Sequence, residues 1–81
     1  MRNLVIENEA KVRFSSSKNP DLAKSYATVM QDLGLKCKTE KDVLGGVNVI
    51  IEPQELSLGH QENILLAILA DKFVPVTVEY R

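Results

Sequence analysis

Between Asn3 and Phe14 the chain alternates. Leu4, Ile6, Ala10, Val12 and Phe14 are apolar, and only Asn8 breaks the even series. The odd positions Asn3, Glu7, Glu9, Lys11 and Arg13 are polar. Period two puts successive side chains on opposite faces, so the segment predicts a strand with one wet face. A hairpin turning at Asn8-Glu9-Ala10 would keep the same parity. With no Asn-Gly or Asp-Gly turn in the segment, one strand bulged or bent near Asn8 is preferred.

The pattern changes after SSSKNPD. Asn19 before Pro20 predicts a helix start, because the pre-proline residue avoids the α region and asparagine caps well. Proline suits the first helical position. Leu22, Tyr26, Val29, Met30 and Leu33 form one apolar face, and Gly34 stands where a C-terminal cap belongs. KCKTEKDV predicts a charged edge strand, and Gly45-Gly46 a turn. VNVIIEP, apolar on both faces apart from Asn48, predicts a central strand ended by Pro53. Gln54 to Gln61 reads as a connection with a helical turn at PQEL. A second helix follows from about His60 to Lys72. VPVTVEYR then alternates as a last strand, with Pro75 suited to an edge or a strand start.

This order of elements predicts a ferredoxin-like βαββαβ two-layer sandwich: an antiparallel sheet with two helices on one face, over 1–81 as a single domain. Its second and fourth strands are edges and its first and third central, which agrees with the charged, proline-opened and apolar character of those strands.

The second helix raises a separate question. In ENILLAILADKF, Glu62 to Phe73, the apolar residues cover an arc of roughly 200°, about twice what one core needs. Part of that arc is expected to meet the first helix, and a remainder would mark an interaction surface. Leu65, Leu66, Leu69 and Phe73 are the candidate interface residues. The uncovered face of the sheet, with Val5 and Val47 or Ile50, is the competing candidate.

Charge narrows the field of partners. Ten basic and 11 acidic residues give a net charge of −1, which builds no strong field for nucleic acid or anionic membrane. The third strand also lacks the aromatics on which RNA-recognition domains of this topology stack bases. No run is long enough for a membrane span, no signal peptide is expected, and a cytoplasmic setting is the expectation. A lone cysteine forms no internal disulfide.

Candidate chemistry is sparse. His60 reads as a surface residue in a helix's first turn, and Cys37 as a small core residue. One Cys and one His make no metal cluster, and the first strand-to-helix loop lacks the paired cysteines of copper-chaperone-like proteins. That loop, Ser15-Ser16-Ser17-Lys18, carries Ser-x-x-Lys without the other motifs such catalysis needs. Its hydroxyls and lysine at a helix start are instead a candidate anion or ligand site. NPDLAKSYATVMQDLGLKCK resembles the corresponding part of ACT-type regulatory domains in Pro20, Leu22 and Gly34-Leu35, with Asp21 where a glycine usually stands. The resemblance is one of layout, and it implies small-molecule sensing at that loop.

The expectation is therefore a non-catalytic protein–protein interaction or regulatory factor, of the accessory or phage-type inhibitor kind. It needs no cofactor and acts as a homodimer or on another protein. An ACT-like anion or small-molecule sensor is the alternative.

Overall fold

The structure is a computed structural model that describes residues 2–14 and 20–80. It holds two helices and two three-stranded antiparallel sheets. The strands are β1 (Arg2–Ile6), β2 (Ala10–Phe14), β3 (Cys37–Lys41), β4 (Val47–Ile51), β5 (Gln54–Ser57) and β6 (Thr77–Tyr80). The helices are α1 (Pro20–Asp32) and α2 (Glu62–Asp71). One sheet has the order β5-β1-β6 and the other β2-β4-β3.

The expected four-stranded sheet is thus divided. The first strand breaks at Glu7 to Glu9 and the third at Glu52-Pro53. Proline has no N–H to give to a ladder. Ile6 pairs with Gln54 and Ala10 with Ile51, so three residues on one side of the break oppose two on the other. That mismatch is the signature of a bulge, at the position where the alternation falters. β1 and β2 are thus joined by three residues and belong to different sheets.

β5 is a correction to the sequence reading, which had a connection there. Its side-chain amide at Gln54 binds the backbone of Lys36 on both sides: Lys36 N–H donates to Gln54 Oε1 at 2.8 Å, and Gln54 Nε2 donates to Lys36 O at 2.9 Å. The last strand is shorter than expected, beginning at Thr77, and Val74 instead donates its N–H to Leu69 O at 3.0 Å, just past the end of α2.

A single core joins the two sheets. Leu4 and Ile6 of β1, Val12 of β2, Val49 and Ile51 of β4, Ala23, Ala27 and Met30 of α1, and Leu65 and Leu69 of α2 form one buried cluster. Both helices therefore lie against the even-numbered face of β1 and β2. The inward side of α1 keeps Met30 of the expected face, with Tyr26 and Leu33 packed against the core, and differs from it elsewhere. Its closest positions are the alanines, while Leu22 and Val29 stay exposed. Small residues let the helix axis approach the sheet, and the larger side chains are displaced to its flank.

Candidate interaction surfaces

The flank of α1 that carries Leu22 and Val29 faces α2 across a groove of about 320 Å³. Leu22, Ser25, Tyr26 and Val29 form one wall, Ile68 and Lys72 the other, and Phe14 of β2 lies with them. Phe14 and Tyr26 meet with ring centroids 5.5 Å apart. Lys72 Nζ lies 5.2 Å from the centre of the Phe14 ring, a distance at which the cation is attracted to the π face. The Tyr26 hydroxyl is shielded from water without a hydrogen-bond partner. Burial is the main cause that pushes its pKa up to about 12, with the charges of Cys37 and Asp71 adding to it.

The apolar arc of α2 is now accounted for in parts. Leu65 and Leu69 are 2% and 0% exposed and belong to the core, so they are withdrawn as interface residues. They are the residues that seat α2 on the sheet. Leu66 is half-buried and packs against the core. Ile68 lines the groove, and Ile64 is exposed. Phe73 remains a candidate: it is 92% exposed and holds φ at 56°. An aromatic residue in the left-handed region is uncommon, and such residues collect at functional sites.

The opposite face of the sheets has a different character, and the sequence reading missed most of it. No helix among the described residues lies there. In β5-β1-β6 its side chains are Glu55, Ser57, Asn3, Val5, Thr77 and Glu79, set by the pairs Val5–Glu55, Val5–Thr77, Asn3–Ser57 and Asn3–Glu79. In β2-β4-β3 they are Lys11, Arg13, Asn48, Ile50, Lys38 and Glu40. Among the described residues one half of this face carries the carboxylates of Glu55 and Glu79, and Asn3 Nδ2 donates to Glu55 Oε1 at 3.4 Å. The other carries three cations and Glu40, with Arg13 ion-paired to Asp42 at 3.3 Å. Ile50 is buried between Lys11 and Lys38, whose alkyl stems are long enough to cover it. Asn48 is 6% exposed, and its Oδ1 has no hydrogen-bond partner; Asn3 Oδ1 has none either. The parity of β1, β2 and β6 was legible in the sequence, and that of β5 was not. The separation of charge appears only once the strand neighbours are known.

The remaining candidates separate widely. Ser15, Ser16, Ser17 and Lys18 lie outside the described residues. His60 is exposed in the turn before α2. Cys37 is half-buried, its Sγ 3.5 Å from Ala27 O, and burial foremost raises its pKa above the ordinary thiol value. A raised pKa keeps a thiol protonated and unreactive. Among the described residues no helix is long and apolar enough to cross a membrane. Comparison with known protein families, with curated proteins and with solved structures finds no match for this chain.

Proposed function

We propose that this protein is a small non-catalytic interaction factor that acts as a homodimer. The observation that carries the reading is uncovered apolar surface on a chain of 81 residues. Leu22, Val29, Ile64 and Phe73 are all exposed on the helical side. A domain of this size buries a modest core, so association contributes a large share of its stability. Leu22 and Val29 share one groove with Phe14 and Ile68, and uncovered apolar surface of this kind marks association sites.

The same reading takes the two sheets as halves of one ferredoxin-like sheet, bent at Asn8 and Pro53. The registers support it: β1 pairs with β5 and β2 with β4, both antiparallel, on either side of the break. Joined in this way the strands follow the order β6, β1/β2, β5/β4, β3.

Light scattering after gel filtration, over at least a tenfold concentration range, tests the proposal. A mass approaching twice 9.0 kDa is expected. A mass of 9.0 kDa at every concentration removes the homodimer.

A further inference from the structure

We infer that two copies of this chain pair edge to edge along β3, antiparallel, with Thr39 of each opposite Thr39 of the other, so that their β2-β4-β3 sheets run on as one. This rests on the homodimer reading and seats it at a sheet edge. The edge and the groove between the helices are separate surfaces, so the edge pairing can fail while the homodimer stands.

β3 is the outer strand of its sheet. Cys37 is half-buried and the rest of the strand is exposed. The hydrogen bonds at its two ends fix which backbone groups are free. Asp42 N–H donates to Gly46 O at 2.7 Å, and Glu52 N–H donates to Lys36 O at 3.3 Å. Both continue the register that pairs Lys38 with Ile50 and Glu40 with Asn48. Bonded pairs alternate along an antiparallel ladder. Lys36, Lys38, Glu40 and Asp42 therefore turn their backbone groups to β4, and Cys37, Thr39 and Lys41 turn theirs outward. The Gln31 side chain marks this edge: its Nε2 donates to Cys37 O at 3.0 Å, and that carbonyl keeps a second lone pair.

An added strand bonds here when its own outward residues stand opposite these. For a second β3 related by a twofold axis, the axis must then pass at a residue and not between two. Charge chooses the residue. Centred on Lys38 or on Glu40, the pairing opposes that residue to itself. Centred on Cys37 it opposes Lys36 to the partner's Lys38, and centred on Lys41 it opposes Glu40 to the partner's Asp42. Centred on Thr39 it opposes Lys38 to the partner's Glu40, and Glu40 to the partner's Lys38. Each contact occurs twice, as a twofold interface requires. These two are the pairs without mutual backbone bonds, where opposed side chains come closest. Thr39 exchanges both its backbone bonds with the partner's Thr39, and opposed threonines are a favourable pair. Among the described residues neither Lys38 nor Glu40 enters an ion pair within its own chain. Charge along an edge keeps other strands away; of the registers centred within β3, this edge admits itself in one.

Charge exchange within the strand tests this. Lys38→Glu and Glu40→Lys each set like charges opposite one another twice. Each is expected to weaken the dimer by about tenfold or more, read by light scattering over a dilution series. Mixed in equal amounts, the two variants oppose glutamate to lysine again, and so does a single chain carrying both changes. Both are expected to regain the wild-type affinity, which a misfolded variant could not do. A wild-type chain that is monomeric at every concentration overturns the edge pairing and the homodimer together. A wild-type dimer indifferent to both single changes overturns the seat on β3 and leaves the homodimer standing. Weakening that neither the mixture nor the double variant restores overturns the register centred on Thr39.

Discussion

The two helices end in the same way with different residues. At the end of α1, Leu35 N–H donates to Met30 O at 2.9 Å and Gly34 N–H to Gln31 O at 3.0 Å. At the end of α2, Val74 N–H donates to Leu69 O at 3.0 Å and Phe73 N–H to Ala70 O at 3.1 Å. Both are Schellman motifs. In each, the residue whose carbonyl takes the bond spanning five residues is a fully buried apolar one, Met30 or Leu69, and the residue that donates to it, Leu35 or Val74, is buried too. The left-handed position is Gly34 with φ 99° in the first and Phe73 with φ 56° in the second. The backbone therefore demands the same conformation at both places, and only one of them holds the residue that adopts it without strain. At the other, burial on either side holds the turn closed and presents a phenyl ring to solvent.

The largest test of this comparison removes the buried anchors. Met30→Ala and Leu69→Ala should each cost about 2–5 kcal/mol by urea denaturation. A loss well below that at Leu69 would mean that α2 is held by something other than its core face. Next comes Gly34→Ala, which needs a left-handed alanine whose Cβ would sit 3.3 Å from Leu56 Cδ1. A loss of about 1–2 kcal/mol is expected from the strained φ and the tight approach. The reciprocal change, Phe73→Gly, should stabilise the monomer by up to about 1 kcal/mol, since it relieves the same strain at an exposed site. Unchanged stability or a loss would show that the ring has a partner within the chain.

The smallest effect is one of pH. Tyr26, on the helix that ends at Gly34, has a folded pKa of about 12, above its ordinary value of 10.0. The folded state holds that proton more tightly, so the associated stability is complete below about pH 10 and is lost as pH rises toward 12. Tyr26→Phe should remove this part of the alkaline decline, read from thermal midpoints across that interval. A decline of unchanged size would assign it to other groups.

The first of these helix ends was legible from Gly34 alone. The second was not, because nothing in the local pattern marks a phenylalanine for a positive φ; that choice is made by the burial of Leu69 and Val74. The same division runs through the fold. The alternation of Leu4 to Phe14, its fault near Asn8, the start of α1 at Pro20 and the apolar β4 were all readable, since each depends on local periodicity. β5 was hidden because Gln54-Glu55-Leu56-Ser57 has one apolar residue, and it becomes a strand only through pairing with β1. The face of α1 was read correctly at Met30, Tyr26 and Leu33 and misread at Leu22 and Val29, because Ala23 and Ala27 are weak signals beside that pair, although close approach favours the smaller residues. Leu65 and Leu69 looked like interface in a helix apolar over so wide an arc; their burial needs the sheet beneath them.

The pairing of β1 and β2 also bears on how the chain becomes a protein. Leu4 pairs with Leu56 and Val78, and Val12 with Val49. Every neighbour of these two strands comes from far downstream, and β1 gains its second neighbour only with β6. Loop closure must therefore precede most of the stabilising contacts, which places folding at the slow end for a domain of this length. A ribosome that has released the chain only through α2 has delivered β1 with one edge bare. Until β6 arrives, that edge is open to any other extended chain nearby.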